Sequence, residues 1–376
     1  MKIKDVKNLE TIDFTNCKPV LRSFGGSDRK FGVIYNDEIY MLKFSEEHAK
    51  RTDVSTSYVN KPISEYISCH ISQSLGIETQ DTLLGTYKDE VVVACKDFRT
   101  SPNTSNIEFG EVLRTKYNSS DIGRFVFLEQ LYESITESEI HFSPEFQEAF
   151  IKRFWDMFVV DALVGNFDRH IGNFGFLQSG DDIRLAPIYD IGSSLLPQIA
   201  DAGIKKLLGN QKELFRRCLV FPSPPMVVTK EKVGKVGYYD MLASNYDNNC
   251  TEALLRIWPK INMAEITNII ENTPFITDLR KEFYIKYVSL RKELILDRAY
   301  EHCVSKQYDQ ESLNRITHGK QFTDDDLKNF IKEYNNSKKP LSLQEKIENI
   351  SERDKVTSIK NVMPETSNKN KNKFER

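Results

Sequence analysis

The stretch VGNFDRHIGNFGF, residues 164–176, places an Asp, a His and two Asn within eight positions, between apolar flanks that indicate burial. Asp, Asn and Gly are common in loops, because they bond nearby backbone groups or allow unusual dihedral angles. Each of them alone therefore indicates only a turn. The segment APIYDIGSS, residues 186–194, adds Asp190 in an Asp-x-Gly triplet behind a β-like run. The two segments together carry more information than either one.

The spacing of these side chains is typical of a site that transfers a phosphoryl group. Such a site needs one carboxylate to orient the acceptor hydroxyl, and hard oxygen ligands from a second segment to hold Mg²⁺ against nucleotide phosphates. Asn173 follows Asp168 by five residues, and Asp190 comes later. The pattern predicts that Asp168 is the catalytic base and that Asn173 and Asp190 bind magnesium. Zinc held by Asp168 and His170 is disfavoured, because no third His or Cys lies nearby and Asn is a poor zinc ligand.

His170 follows the predicted base by two residues. It is either a packed, hydrogen-bonded histidine or a direct participant in catalysis. In both cases we expect its two ring nitrogens to fix the loop.

A glycine pair stands near the N-terminus, in the segment SFGGSDRKFG, residues 23–32. Because Gly25 and Gly26 lack a Cβ atom, the backbone there, including that of Ser27, is predicted to approach nucleotide phosphates closely. A simple hairpin turn would use the same residues. The pair becomes informative through the strand pattern that follows it.

That strand pattern, YMLKF at residues 40–44, contains a lysine that requires a partner. Alternation along a strand puts Lys43 on the same face as Met41, among apolar neighbours. A lysine there is costly unless a phosphate or a carboxylate pairs with it. Glu65, on the helix pattern that follows, either pairs with Lys43 or faces solvent.

The segment VACKDF, residues 93–98, is predicted to join two lobes. In a nucleotide-binding site of this organisation, the joining segment offers backbone groups to adenine. Lys96 and Phe98 are therefore candidate nucleotide-binding residues.

Residues 31–98 predict the order strand, strand, helix, strand, strand. Asn36-Asp37 and Lys88-Asp89 are the expected hairpin turns. The helix is expected over residues 62–75, where Ile or Leu recurs every four residues and Gly76 follows as a stop.

Long helical patterns dominate after Phe98, so the second lobe is predicted to be mainly helical. We expect an N-lobe over residues 1–98, a C-lobe over residues 99–300 and a C-terminal extension over residues 301–376. The Asn-, Lys- and Ser-rich composition of the extension predicts disorder from about residue 335, apart from one short helix.

The bulk composition is that of an ordinary globular protein. Hydrophobic residues make up 39% and charged residues 28% of the 376 residues, and the net charge of −3 gives no electrostatic reason to expect nucleic acid or an anionic membrane as a partner. The six cysteines stand singly, which fits a reducing compartment. Neither a signal peptide nor a membrane helix is evident, so we expect a cytoplasmic protein; non-classical export would leave no such trace.

These residues together resemble the HipA-like kinases, and within them the cell-translocating kinase branch. The segments that carry the resemblance lie between about residues 12 and 300: GGSDRKFGVIYNDEIYMLKF, SEYISCHISQSLGI, TLLGTYKDEVVVACKDF, FWDMFVVDALVGNFDRHIGNFGF, APIYDIGSSLLP and LLRIWPKINMAEITNIIENTPF. The resemblance implies an α+β, two-lobed protein-kinase-like fold related to phosphoinositide kinases, with a small β-rich N-lobe and a larger, mainly helical C-lobe.

The same resemblance implies a function. The protein would phosphorylate Ser or Thr of a protein substrate with ATP and Mg²⁺, and would phosphorylate itself. By matching positions, Lys43 would contact nucleotide phosphates, Asp168 would be the base, and Asn173 and Asp190 would bind magnesium. Autophosphorylation near the glycine loop would fall on Ser27 or, less favourably, Ser23.

The chain also departs from the relatives that it resembles. It begins almost at the glycine loop, so the N-terminal subdomain of longer HipA toxins, and with it antitoxin or DNA-linked assembly, is not expected. The loop lacks the full G-x-G-x-x-G of eukaryotic kinases. Two other functions stay open: a small-molecule or lipid kinase, and a catalytically silent binding protein on a kinase scaffold.

Overall fold

The Lys43 strand lies inside a six-stranded sheet in the N-terminal part of the chain. The computed structural model describes residues 11–25, 29–45, 60–99, 101–118, 126–221, 227–228 and 236–337. The chain divides into two compact units, Met1–Leu327 and Lys328–Arg376, and every candidate site residue lies in the first. Gly26, Ser27 and the extension beyond residue 337 lie outside the described residues.

The strands of this sheet are β1 (Ile12–Asp13), β2 (Lys18–Val20), β3 (Lys30–Tyr35), β4 (Glu38–Phe44), β5 (Thr82–Tyr87) and β6 (Glu90–Lys96), in the spatial order β1-β5-β6-β4-β3-β2. All neighbours are antiparallel except β1 and β5. We call this sheet, with the helix that packs on it, the β-rich lobe.

Both predicted hairpin turns are confirmed. Asn36 and Asp37 have φ of 49° and 62°, and Lys88 and Asp89 have φ of 49° and 64°. Positive φ at both central residues is the type I′ geometry, whose twist matches that of the flanking strands. The turns fix the registers of β3 on β4 and of β5 on β6. The two hairpins then pair through β4 and β6, where Lys43 lies opposite Val93.

The alternation along β4 separates a core face from a site face. One face builds a hydrophobic core from fully or nearly fully buried side chains: Phe14, Val33, Leu42, Phe44, Val92 and Ala94. Lys43, between Leu42 and Phe44, therefore points to the opposite face of the sheet.

The helix predicted for residues 62–75 is confirmed as α1 (Lys61–Ser74). Its apolar residues at four-residue spacing are buried, and Gly76 has a φ of 72°, which ends the helix in the left-handed region. The helix also buries the side chain of Glu65 completely. The same packing that forms α1 thus delivers a carboxylate to the site face of the sheet.

The rest of the described chain is mainly helical, as predicted, and we call it the helical lobe. Its helices are α2 (Phe109–Lys116), α3 (Leu128–Thr136), α4 (Pro144–Val164), α5 (Asp201–Leu208), α6 (Gln211–Leu219), α7 (Tyr238–Ser244), α8 (Asn248–Ile257), α9 (Met263–Glu271), α10 (Asp278–Arg291), α11 (Arg298–Ser305), α12 (Gln310–Thr317) and α13 (Asp324–Ser337). A 3₁₀ turn (Trp258–Lys260) follows α8, and a π-helical segment (Lys292–Asp297) joins α10 to α11.

The helical lobe also contains short strands that the sequence patterns did not reveal. β7 (Thr104–Glu108), β9 (Gly175–Ser179) and β10 (Asp182–Leu185) form a sheet in the order β10-β9-β7, and β8 (Val126–Phe127) pairs with β11 (Val227–Val228). The β-like run before Asp190 is not a strand, because it makes a single bridge between Ile188 and Thr79.

Helix α4 ends where the polar stretch begins. Gly165 terminates it with a φ of 69°, and a Cβ atom there would lie 2.4 Å from the hydroxyl oxygen of Tyr287. Only glycine fits both the dihedral angle and the space. The glycine thus turns the chain out of a buried helix into the loop of residues 166–174.

None of the helices in the described ranges has the length and apolar character needed to cross a bilayer. All six cysteines have free thiols, and five of them are buried.

Candidate active site

Two asparagines shape the loop that follows α4. The side-chain oxygen of Asn166 accepts a hydrogen bond from the backbone N–H of Asp168 at 3.1 Å. The side-chain amide of Asn173 donates to the backbone carbonyl of Asp168 at 2.8 Å. The Asn173 N–H donates to the carbonyl of His170, also at 2.8 Å. These bonds hold the backbone of Asp168 from both sides and leave its carboxylate to other partners.

A buried arginine fixes the loop further. Arg169 is 1% exposed and donates to both carboxylate oxygens of Asp161 on α4, at 2.8 and 3.1 Å. It also donates to the backbone carbonyls of Asn173 and Tyr189, each at 2.7 Å. One side chain therefore connects the end of α4, the loop and the residue that precedes Asp190. Sequence reasoning missed this role, although an Arg and an Asp inside apolar flanks signal a buried pair.

His170 is half-buried, and its Nδ1 accepts a hydrogen bond from the N–H of Gly172 at 3.1 Å. The carbonyl of Gly172 in turn accepts from the hydroxyl of Tyr189 at 3.3 Å. Of the two ring nitrogens expected to fix the loop, Nδ1 makes this contact with the loop backbone.

Lys43 lies between two carboxylates. Its Nζ is 2.9 Å from Oε1 of Glu65 and 3.0 Å from Oδ1 of Asp190. Of the two alternatives for Glu65, the structure shows pairing with Lys43 rather than exposure to solvent. Lys43 and Asp190, which are 147 positions apart in the sequence, are therefore in direct contact.

The charges of this cluster stabilise one another. Burial lowers the pKa of Lys43, but the carboxylates of Asp190 and Glu65 outweigh burial and raise that pKa well above its usual range. Burial raises the pKa of Asp190, but the charges of Lys43, Lys61 and Arg169 hold it well below its usual range. Both groups are therefore charged at neutral pH.

Steric crowding explains why a glycine, Gly192, occupies the last position of the Asp-x-Gly triplet. A Cβ atom at Gly192 would lie 2.6 Å from Oε2 of Glu65 and 3.1 Å from Cγ of Lys61. That Glu65 oxygen is buried and has no hydrogen-bond partner among the described residues. Close approach of Gly192 thus lets α1 bring both Glu65 and Lys61 to Asp190; sequence reasoning missed Lys61.

Glu108, at the end of β7, lies between the glycine loop and the catalytic stretch. A Cβ atom at Gly25 would be 3.2 Å from its Oε1, and one at Gly172 would be 3.1 Å from its Oε2. Burial, followed by the charge of Glu111, raises the pKa of Glu108. Nothing in the local sequence marks this residue, because only the unpredicted sheet of β7 and β9 brings it here. Gly25 itself is anchored by Lys30, whose Nζ donates to its carbonyl.

Lys96 and Phe98 of the joining segment both make contacts within the fold. The backbone N–H of Lys96 donates to Asp81, its carbonyl accepts from the side chain of Gln80, and its Nζ pairs with Glu38 at 3.0 Å. The ring of Phe98 packs on that of Tyr189, with centroids 5.4 Å apart. Both residues line a surface groove of about 1020 Å³, whose lining residues include neither Lys43 nor Asp190.

The side-chain oxygens of Asn173 and Asp190 are of a kind that binds magnesium. No group of three or more His, Cys, Asp or Glu side chains suited to a metal occurs in the described part of the chain. Mg²⁺, however, is usually bound by one or two protein oxygens together with substrate phosphates and water. Asn173 uses its amide nitrogen on Asp168, so its side-chain oxygen is the atom that could ligate a metal, while the Asp190 side chain is 37% exposed. One amide oxygen and one ionised carboxylate are hard ligands of the required kind.

We expect Arg169→Met to destabilise the fold by about 3–5 kcal/mol, because it leaves the Asp161 carboxylate buried without its partner. The double variant with Asp161→Leu should recover part of the loss, since it removes both charges. Urea unfolding measures the difference, with Lys212→Met, which breaks only an exposed pair with Asp324, as the control. A single variant as stable as the control would show that the pair does not hold the loop.

Known proteins share this architecture. The family model of the HipA-like C-terminal domain matches residues 22–227. The serine/threonine-protein kinase CtkA of Helicobacter pylori strain J99 is 40% identical over 300 residues, which cover 79% of this chain and 90% of CtkA.

Two solved structures are similar to this chain. The crystal structure of the H. pylori proinflammatory kinase CtkA matches with a TM-score of 0.73 and 38% identity, covering 80% of this chain and 99% of that chain. A chain of the Shewanella oneidensis MR-1 complex of HipA, HipB and operator DNA matches with a TM-score of 0.46 and 15% identity, covering 79% of this chain and 70% of that chain.

The match to the CtkA structure confirms the α+β, two-lobed kinase-like fold that the sequence predicted. The match covers nine-tenths of CtkA. The family model includes the polar loop and the Asp-x-Gly triplet within residues 22–227. The chain therefore belongs to the HipA-like kinase family, and it is a phosphotransferase of the serine/threonine protein kinase kind.

Proposed function

We propose that this kinase transfers the γ-phosphoryl group of ATP, with Mg²⁺, to a Ser or Thr hydroxyl of a protein. The observation that carries the proposal is the position of Lys43 between Glu65 and Asp190, at 2.9 and 3.0 Å. An ammonium group fixed by one fully buried carboxylate is oriented toward whatever binds at the second. Nucleotide phosphates bound beside Asp190 would contact the Lys43 ammonium group, which is already in position.

The glycine loop and Lys43 would bind the nucleotide. Gly25, together with Gly26 and Ser27, would present backbone N–H groups to the phosphates, while Lys43 would neutralise part of their charge. Lys96 and Phe98 remain candidates for the adenine end. Because the Lys96 backbone is already hydrogen-bonded within the fold, we assign the Phe98 segment the larger share of that contact.

Asp168 would orient the acceptor hydroxyl and accept its proton. The bonds from Asn166, Asn173 and Arg169 fix the loop before the substrate arrives, so little reorganisation is needed during transfer. His170 would keep the same loop in register through its bond from Gly172.

Asn173 and Asp190 would hold the metal. Bound there, Mg²⁺ would neutralise charge on the phosphates and align them for transfer. The low pKa of Asp190 keeps this carboxylate ionised and ready to bind a cation. Most of the rate would come from positioning and charge neutralisation.

The acceptor would be a protein, and the kinase itself is one candidate. Ser23 and Ser27 flank the glycine pair, and a phosphate on either would repel nucleotide phosphates. Arg99 donates to the backbone carbonyl of Ser23 at 3.2 Å, which holds this end of the loop near the joining segment. With a net charge of −3, we expect no nucleic acid partner. Because the six cysteines stand singly, we expect the enzyme to work in the reducing cytoplasm.

Incubation with γ-labelled ATP tests the proposal. We expect label in an added generic protein acceptor with Mg²⁺ and none with EDTA. Without the acceptor, label on the kinase itself, mapped by phosphopeptides to Ser23 or Ser27, is expected. Binding of Mg-ATP without any protein label would indicate a small-molecule or lipid acceptor. No binding of Mg-ATP would leave only a silent kinase scaffold.

A further inference from the structure

A buried carboxylate in the joining segment pairs with two arginines. The side chain of Asp97 is 4% exposed, and both of its oxygens contact guanidinium groups. Oδ2 lies 2.7 Å from Nε of Arg22 and accepts from Nη2 of Arg99 at 2.9 Å, while Oδ1 accepts from Nε of Arg99 at 2.8 Å. The backbone N–H of Asp97 donates to the carbonyl of Ile39 at 2.8 Å, which fixes the carboxylate to strand β4. Two arginines from different segments therefore share one anchored negative charge.

Arg99 connects this carboxylate to the start of the glycine loop. Its Nη1 donates to the backbone carbonyl of Ser23 at 3.2 Å. Its guanidinium carbon lies 5.1 Å from the ring centroid of Phe24, within the range of a cation–π contact. Arg22 belongs to the same stretch of chain and pairs with the carboxylate directly. The three residues before Gly25 are thus all bound, directly or through Arg99, to the joining segment.

These contacts place the loop start on the face of the sheet that carries Lys43. Gly32 of β3 lies opposite Met41 of β4, and Met41 shares a face with Lys43 two residues further on. A Cβ atom on Gly32 would lie 3.2 Å from Cε2 of Phe24, so the Phe24 ring covers Gly32 on that same face. The segment that the arginines hold therefore lies on the site face of the sheet and not on its core face.

Fixing the loop start affects how tightly the loop can bind phosphates. Glycine loses more conformational freedom on ordering than any other residue, and the loop has a glycine pair directly after Phe24. A loop that is ordered before its ligand arrives loses less entropy when it binds. An anchor at the residues that precede the pair can therefore raise the affinity for phosphates without contacting them.

We propose that Asp97 is a positioning residue for ATP: through Arg22 and Arg99 it fixes the start of the glycine loop over the Lys43 face before the nucleotide binds. The inference rests on the proposed function, in which this loop binds the nucleotide phosphates. It assigns Asp97 a role that is separate from those of the residues proposed to contact the phosphates or the metal.

Calorimetric titration of the Asp97→Asn variant with Mg-ATP and with adenosine tests the inference. An amide keeps the shape of the carboxylate but cannot neutralise two guanidinium groups. We expect the affinity for Mg-ATP to fall about tenfold, the effect of losing one charged hydrogen bond, and the affinity for adenosine, which has no phosphates, to stay within about twofold. In label transfer, KM for ATP should rise about tenfold while kcat stays within about twofold, because the lost interaction is the same in the ground state and the transition state.

Two further variants separate an effect through the arginines from a general loss of folding. Arg22→Met removes the arginine on the loop side and should give an ATP-selective loss of its own, even if Asp97→Asn does not fold. Adding Arg22→Met to Asp97→Asn should cause little further loss, because the two residues act as one unit. Arg29→Met is the matched control and should bind Mg-ATP as the wild type does. Its pair with Glu90, at 2.8 Å, is exposed, and its guanidinium lies over Phe44 on the core face of the sheet.

The outcomes that would contradict the inference are distinct. Equal losses for Mg-ATP and adenosine would show that Asp97 shapes the base end of the site, and unchanged affinities would show that the anchor is not needed. A double variant that binds Mg-ATP clearly more weakly than Asp97→Asn would show that Arg22 contacts the nucleotide itself. Each of these results would overturn the inference alone, whereas a wild type that binds no Mg-ATP would overturn the proposed function as well.

Discussion

The Asp168→Asn variant is expected to transfer phosphate about 10²- to 10⁴-fold more slowly than the wild type, the range that general base catalysis supplies. An amide has the shape of the carboxylate but cannot accept the proton of the acceptor hydroxyl. The bonds that Asn166 and Asn173 make to residue 168 involve its backbone N–H and carbonyl, so the substitution leaves them in place. The loss should therefore appear in kcat and not in folding.

Label transfer from γ-labelled ATP measures the rate, and Mg-ATP affinity and Tm show whether the site remains formed. Asp181→Asn, an exposed residue in the turn between β9 and β10, controls for the loss of one negative charge. A variant that keeps more than about a tenth of the wild-type rate would exclude Asp168 as the base. Catalysis would then depend on positioning and charge neutralisation alone.

The parts of the fold that sequence predicted are those governed by local rules. The two hairpins follow from alternation and from turn residues that accept positive φ, and α1 follows from apolar residues every four positions. The meeting of Lys43 with Asp190 is not local, and the sequence predicted only that both residues belong to one nucleotide site. The structure supplies the distance of 3.0 Å.

The residues that sequence missed depend on tertiary contacts. Arg169 connects segments that become neighbours only after the helical lobe folds. Glu108 reaches the site on a strand whose sequence, TSNIE, has no apolar alternation. Lys61 begins a helix, where a lysine usually faces solvent. Gly192 explains its position, because a residue without a side chain lets α1 approach Asp190.

Three cationic side chains near Asp190 have the same effect on its pKa. Lys43, Lys61 and Arg169 all lower its pKa, against the effect of burial. A depressed carboxyl pKa contributes to stability above the unfolded-state value of about 3.9, and that contribution is lost only as the pH falls through the folded-state pKa. Between about pH 5 and 8, protonation of Asp190 should therefore affect neither stability nor metal binding.

The second large effect is expected for Asp190→Asn, which should slow phosphate transfer at least about 10³-fold, since a bound metal contributes several kcal/mol to transition-state stabilisation. The variant removes a negative charge that has two separate uses, pairing with Lys43 and binding the cation. Glu65 still pairs with Lys43 at 2.9 Å, so the lysine keeps a partner. We therefore expect the metal-dependent part of nucleotide binding to be lost and the metal-free part to remain.

Titration of ATP binding with and without Mg²⁺ separates the two uses. The wild type should bind ATP more tightly as Mg²⁺ is added, while the variant should show the same weak affinity in Mg²⁺ and in EDTA. Asp182→Asn, exposed on β10, is the control and should behave as the wild type. If Asp190→Asn instead keeps its response to Mg²⁺ but loses affinity in EDTA, the carboxylate serves to position Lys43, and the metal must be held by the phosphates and Asn173.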